Sequence, residues 1–357
     1  MLEVHVYNSF FGDTKVDQIV HLRDVEIQEN LDSFDTLDFK VDYYIDKYGD
    51  NNVKHIRDFS RIELVQVSNV NKIIFQGVVV DGRPSKDFMT IKARDFKGLL
   101  LKKIIVWDKN YTNSNLSGIM SAILSELNAR SSGDTHPENW SVELDEDVTG
   151  ISIELSNGDT YFDAIKKLVD QIGKYWKVEN GVIKISDIVG ENKTIGENFT
   201  ELLYDYNSPE ENNITNYEVK TYSTISNFVR VGSSNTDRPD SIASFGRLEE
   251  FSTIDSSEVS SYIDKSSEEQ KEYILDIDFT RIDTPLQIGD RVAIKIDTAI
   301  DKVDFSWDLL ITRRKIKYQG TDIVYTSINI SDIIIQRNDF TDNLNRYFTD
   351  VKNLKLS

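Results

Sequence analysis

The chain has 357 residues, enough for two to four modest domains that each bury a core. Its 61 acidic and 41 basic residues give a formal charge of −20, which argues against gripping nucleic acid, because that takes a basic face to displace phosphate counterions. The absence of cysteine excludes disulfides, thiolate metal sites and a cysteine nucleophile. His5, His21, His55 and His136 lack the paired spacing of a zinc or non-haem iron centre. No apolar run reaches the ~18–20 residues that span a bilayer, and MLEVHVYNSF is not a secretory signal.

In chain order, the first hundred residues read as strands. LDFKV alternates through Leu37, Phe39 and Val41, and RIELVQV, IIFQGVVV and MTIKARD follow. Turn signals at Asn69–Asn71 and at Asp81-Gly82-Arg83-Pro84 separate these pieces at the spacing of an antiparallel barrel or sandwich. Gly77 inside a strand pattern predicts a bulge or a close backbone approach.

The period then changes. NLSGIMSAILSELNAR carries Leu116, Ile119, Met120, Ile123, Leu124 and Leu127 at helical spacing, capped at Ser114 or Asn115. TYFDAIKKLVDQIG is a second helix, with Thr160 and Asp163 as an acidic capping box, an apolar stripe of Ile165, Leu168 and Ile172, and Gly173 at its stop. KYWKVENGVIKIS reads as a hairpin around Asn180-Gly181, setting Trp176 and Val178 against Ile183 and Ile185. These pieces make a compact α+β insert.

From residue 213 strands return in NFVRVGSS, YILDIDFTR, DRVAIKI, WDLLITRRKIKY and IVYTSINIS, the last two turned at Gln319-Gly320-Thr321. TPLQIGDRVAIKI is a corner at Gly289-Asp290 followed by a strand that puts Val292, Ile294 and Ile296 on one face. SSEVSSYIDKSSEEQKEY has weak helical spacing and reads as one or two short helices. At the end of the chain Phe340, Leu344, Tyr347, Val351 and Leu354 form a heptad seam of about two repeats, too short to hold a coiled coil alone. It either packs on its own domain or is presented to a partner or a symmetry mate.

No chemistry stands out. The carboxylates of DEDV at 145–148 and PEEN at 209–212 read as solvated loop charges. Asp297, Asp301 and Asp304 lack the glycine and glutamate of a helix–loop–helix calcium site. No serine-nucleophile motif sits in a usable context. Arg313, Arg314, Lys315 and Lys317 lie on a strand, where alternation disperses their charge over a solvated face. Trp107, Trp140, Trp176 and Trp307 are too scattered for a stacking platform. No catalytic, metal or cofactor-binding residue is expected, and no cofactor.

The order of the pieces is more telling. F-x-G-x-V at Phe75–Val79 leads to A-R-D-F-K-G-L-L at 93–100. N-x-V-x-V-G at Asn227–Gly232, S-F-G-R-L-E at 244–249 and L-x-I-G-D-R-V at 286–292 follow. In this order they resemble the baseplate hub, or tail-tip, proteins of tailed bacteriophages, relatives of the spike-carrying hubs of contractile injection machines. The resemblance implies an α+β, mainly β fold of two tube-type antiparallel β-barrel domains, at 1–104 and 201–335, the second with a helical insertion. An α+β insert at 105–200 lies between them, and a C-terminal amphipathic helix follows at 336–357. It further implies a structural, non-enzymatic homotrimer whose near-sixfold ring meets the distal tail or tube protein. The tape-measure protein and a spike or fibre protein would be the other partners. DNA would pass through without specific binding, in a virion tail assembled in the host cytoplasm. Because the sequence stops at Ser357, any lytic or fibre domain is expected on a separate chain. The competing reading is a carbohydrate- or receptor-binding module, with or without glycan-degrading activity.

Overall fold

The structure, a computed structural model, describes residues 1–7, 14–31, 33–42, 56, 60–68, 70–132, 138–187, 202–222, 227–231, 234–251, 263, 270–281, 286–298, 302–320 and 322–331. Two compact units emerge, one of Met1–Glu218 with Ile274–Ile330, the other of Val219–Tyr273 with Ser331–Ser357.

The first unit opens with seven antiparallel strands. They are β1 (Leu2–Tyr7), β2 (Lys15–Ile19), β3 (Leu22–Asn30), β4 (Thr36–Asp42), β5 (Arg61–Gln66), β6 (Lys72–Pro84) and β7 (Phe88–Asp95), in the spatial order β3-β4-β7-β6-β5-β1-β2. Period-two alternation sends Val4 and Val6, Leu37 and Phe39, and Ile62 and Leu64 to one face, where all seven strands feed one buried cluster. The two ends of the path converge on a cleft of about 310 Å³, lined by Leu2 of β1, Val20 between β2 and β3, Leu22 and Val25 of β3, and Tyr318. The set is therefore curled round its core, although no ladder among the described residues closes it. Asp81–Pro84, expected as a turn, is instead the end of β6, and the reversal comes at Ser85, whose N–H donates to the Phe88 carbonyl at 2.7 Å. Pro84 fits as the last residue of the strand, where its missing N–H does least harm.

Helix α1 (Phe96–Leu100) leads into the insert. There β8 (Lys109–Ser114), α2 (Leu116–Ser131), β9 (Ser141–Leu144), β10 (Ile151–Leu155), α3 (Tyr161–Gln171), β11 (Tyr175–Glu179) and β12 (Val182–Ser186) follow. The six apolar residues expected on α2 are all buried. Asn115 occupies the N-cap position, without a side-chain capping bond. Thr160 caps α3, accepting from the Asp163 N–H at 3.0 Å and donating to the Asp163 carboxylate at 2.7 Å. Asn180 and Gly181 both take positive φ, and the β11–β12 register pairs Trp176 with Ile185 and Val178 with Ile183, as the hairpin reading requires.

Strand β13 (Leu202–Asp205) and strand β14 (Ile214–Tyr222) follow the insert. Within the second unit, β15 (Phe228–Val231), β16 (Ser234–Asp237) and β17 (Glu249–Phe251) form a small sheet in the order β16-β15-β17, with helix α4 (Pro239–Phe245) between β16 and β17 in the chain. Its keystone is Asn227, fully buried. Its amide donates to the Gly246 carbonyl at 2.8 Å and accepts from the Leu248 N–H at 2.8 Å. The side chain thus joins the N-x-V-x-V-G and S-F-G-R-L-E stretches, across a glycine held at φ +81°. Asn227→Ala should destabilise the protein by about 2 kcal/mol, since the buried amide is lost and the Gly246 carbonyl and Leu248 N–H lose their partner. Hydrogen exchange at the Leu248 amide should quicken in parallel, and an unchanged rate would deny the clamp.

Most of 256–273, expected as helix, lies outside the described residues. Its end, Gln270–Tyr273, instead opens β18 (Gln270–Ile277). Strand β19 (Arg291–Asp297), strand β20 (Lys302–Gln319) and strand β21 (Asp322–Ser331) complete the chain's described elements, with Gly320 turning β20 into β21 at φ +65°. β20 is the organising strand. Its first half pairs antiparallel with β19, and residues 313–318 pair with β3. The two strand sets, expected as separate barrels, are thereby joined into one open 13-stranded sheet along β14-β18-β21-β20-β3 and onward to β2.

Candidate functional site: a buried joint of the strand sets and the insert

The first strand set, the insert and β20 meet at the turn from β3 to β4. Glu29 and Asn30, the last residues of β3, stand opposite Arg314 and Arg313 of β20. The Arg314 guanidinium forks onto Glu29, with Nη2 donating to Oε1 at 2.8 Å and Nε donating to Oε2. Its Nη1 donates to the Leu286 carbonyl, at the corner before β19. In that corner Gly289 takes φ +82° and donates its N–H to the Ile311 carbonyl at 2.9 Å. The fully buried Asp290 accepts from the Gln287 N–H at 2.8 Å. TPLQIGDRVAIKI is thus architecture. It carries the corner that Arg314 pins to the first strand set.

Asn30 works on the neighbouring side. Its Oδ1 accepts from Arg313 Nε at 3.0 Å, its Nδ2 donates to the Phe34 carbonyl at 2.9 Å, and its N–H donates to Asp35 Oδ1 at 2.8 Å. Asp95 ends β7 and caps α1, accepting from the Gly98 N–H at 3.1 Å, while its own N–H donates to the Asp35 carbonyl at 3.0 Å. Lys97 is 3% exposed. Its Nζ donates to the Asn30 carbonyl at 3.3 Å and to the Ser33 carbonyl, and lies 3.9 Å from Asp95 Oδ2. The insert closes the joint with aromatic rings. Phe34 meets Phe162 edge-on at 6.3 Å, Phe162 meets Trp176 at 5.4 Å, and the Lys97 ammonium sits 5.9 Å from the Trp176 ring. Burial pushes the Asp35 carboxyl up to about 7, and pushes Asp95 up as well, while the Lys97 charge pulls both down. A cluster of this kind holds geometry, because each paired charge fixes the placement of three segments at once.

The sequence candidates fall elsewhere. Phe340, Leu344, Tyr347, Val351 and Leu354 lie outside the described residues. The acids of 145–148 are exposed, as expected of loop charges, and they are also paired. Asp145 and Glu146, with Asp187, surround the buried Lys174 Nζ at 3.4, 3.1 and 2.8 Å, and Asp147 accepts from the Ser117 N–H at the start of α2. Asp297 ends β19, and Asp301 lies outside the described residues. The basic cluster of β20 is likewise paired across the sheet, Lys315 and Lys317 both reaching Glu26 at 2.8 and 3.4 Å. Trp140 and Trp176 belong to the insert core. Sequence reasoning missed Asp35, Asp95 and Lys97. The one available signal was an acid before the short apolar helix in ARDFKGLL, the signature of an N-cap.

This architecture is one that bacteriophage tail proteins share. The chain superposes on a tail protein from Neisseria meningitidis MC58 with a TM-score of 0.63 and 13% identity, covering 92% of this chain and 95% of that one. The 43 kDa tail protein of prophage MuSo2 from Shewanella oneidensis gives 0.62 and 14%, over 92% and 97%. Prophage tail protein gp18 from Listeria monocytogenes EGD-e gives 0.58 and 12%, over 98% and 99%. No protein-family model matches the sequence, and no curated protein does.

Proposed function

We propose that the protein is a structural baseplate hub or tail-tip protein of a bacteriophage tail. The observation that carries this reading is the threading of β20 through two strand sets, the first curled round its own core, in a fold shared with tail proteins over nearly the whole chain. In the hub, each strand set is one tube-type barrel and the insert (105–200) braces the pair. Three copies form the ring that ends the tail tube. The distal tail or tube protein and the tape measure lie above it, and a spike or fibre protein lies below. The seam of Phe340, Leu344, Tyr347, Val351 and Leu354 docks a partner or a neighbouring copy. A formal charge of −20 suits a lumen through which DNA slides during ejection, because an acidic wall repels phosphate.

Mass photometry of the full chain tests the assembly. Particles of three 41.0 kDa chains are expected at micromolar concentration, and a strictly monomeric particle at every concentration would overturn the ring. One observation favours the second reading, a carbohydrate-binding module. A groove of about 640 Å³ in the insert is lined by neutral amides and hydroxyls, Asn113, Ser114, Asn115 and Thr149, beside Tyr111. Retention on bacterial wall polysaccharide would support that reading.

A further inference from the structure

The outer face of β6, β7, β4, β3 and β20, opposite the core of the first strand set, reverses the sign of the chain. The ladder registers bring Lys317, Glu26, Asp38, Lys92 and Asp81 into one row across the five strands. The other cations of the face flank that row, Arg313 and Lys315 on β20, Arg94 on β7, Arg83 on β6, and Arg23 opposite Lys40 where β3 meets β4. Asp24 and Asp42 answer the last two, Lys40 reaching Asp24 and Arg23 reaching Asp42, each at 2.6 Å. Eight cations thus stand against five carboxylates, which leaves the face at +3 within a chain of −20. The cations also reach further out. Arg83 is 77% exposed over Asp81 at 30%, and Lys315 and Lys317 both stand further out than the Glu26 they share.

We infer that this face is the contact surface for a second copy of the chain, docking by charge against the acidic surface that the neighbour presents elsewhere. Charge complementarity selects that occupant. Residues 105–187 of the insert carry 14 acids and 7 bases, so a second copy supplies a surface of the required sign. Two copies of the face set against each other would bring +3 to +3, and like charges so opposed repel. The contact is therefore heterologous, and a heterologous contact makes a ring when its rotation closes. In the ring proposed above, on which this contact rests, the face turns toward a neighbouring copy and away from the lumen. A lumen wall of this sign would hold phosphate, where an acidic wall lets it slide. The interleaved carboxylates hold the cations in place, so the neighbour meets a fixed pattern of charges that sets its register.

Mass photometry of the full chain at about 0.1 M and about 1 M salt tests the contact, since screening then shortens from about 10 Å to about 3 Å. Association should be about tenfold weaker at the higher salt. Equal association at both salts would overturn the contact, and that reading needs no variant to fold. Arg83→Glu, Lys92→Glu and Lys317→Glu together should weaken association at the lower salt by about tenfold and remove its salt dependence. The same change of charge on the insert, at Lys109→Glu, Lys167→Glu and Lys177→Glu, should leave association no weaker than in the natural chain. Particles that ignore the first variant would overturn the face and leave the hub standing. A chain monomeric at both salts and every concentration would overturn the ring and the face together. Retention on duplex DNA that the first variant loses would assign the face to phosphate and overturn the contact between copies.

Discussion

Gly77→Ala should cost about 4 kcal/mol of unfolding free energy, whereas Gly82→Ala, five residues along the same strand, should cost under about 1 kcal/mol. A Cβ at Gly77 would lie 2.0 Å from the Arg94 carbonyl oxygen and 2.6 Å from its carbon, on the backbone of the paired strand β7. Backbone in a ladder cannot step aside without breaking the ladder, so β7 must separate from β6. At Gly82 the added carbon meets only the terminal methyl of Met89, 2.6 Å away, and a flexible side chain moves cheaply. The damage at Gly77 should also spread in a defined direction. Gly77 pairs with Asp95, so the residue that caps α1 and fixes the joint is displaced with the strand. Urea titrations of both variants decide the matter, and equal losses would show that close backbone approach is not what Gly77 provides.

What was legible in the sequence was local. The 3.6 period of α2, the capping box at Thr160 and the Asn180-Gly181 turn each depend on residues a few positions apart, and each took the expected form. Gly77 also announced itself, as a glycine where a strand needs a side chain. The 81–84 stretch misled because Gly-Arg-Pro suits a turn and equally suits the paired end of a long strand beyond a bulge. The joint was hidden for a different reason. Asp35 and Asp95 meet only because β4 and β7 pair with Thr36 opposite Arg94, and Glu29 meets Arg314 across 285 residues of chain. Nothing in a single sequence fixes such registers. The two-barrel expectation was incomplete on the same account, since the sharing of β20 is a property of pairing between distant strands.

Arg314→Met should destabilise the first unit by about 3 kcal/mol, far more than removal of a surface pair in the same sheet. Magnitudes separate the two cases. Arg314 and Glu29 have side chains 16% and 22% exposed, bonded through a fork, whereas Arg23 and Asp42 are 64% and 38% exposed through one contact at 2.6 Å. The exposed pair is screened and is worth about 0–0.5 kcal/mol, so Arg23→Ala serves as the control. Truncating Arg314 removes three bonds and leaves Glu29 half-buried beside Asn30 with its charge unmatched. Arg314→Lys keeps the charge but not the planar fork, and should recover only about half of the loss. If the cost lies mainly in the stranded carboxylate, adding Glu29→Gln to Arg314→Met should restore about 1–2 kcal/mol. If instead it lies in the bond to the Leu286 carbonyl, the double variant will be no more stable than the single, and the corner before β19 will show the faster hydrogen exchange. An Arg314→Met protein as stable as Arg23→Ala would mean that the β3–β20 ladder alone joins the two strand sets.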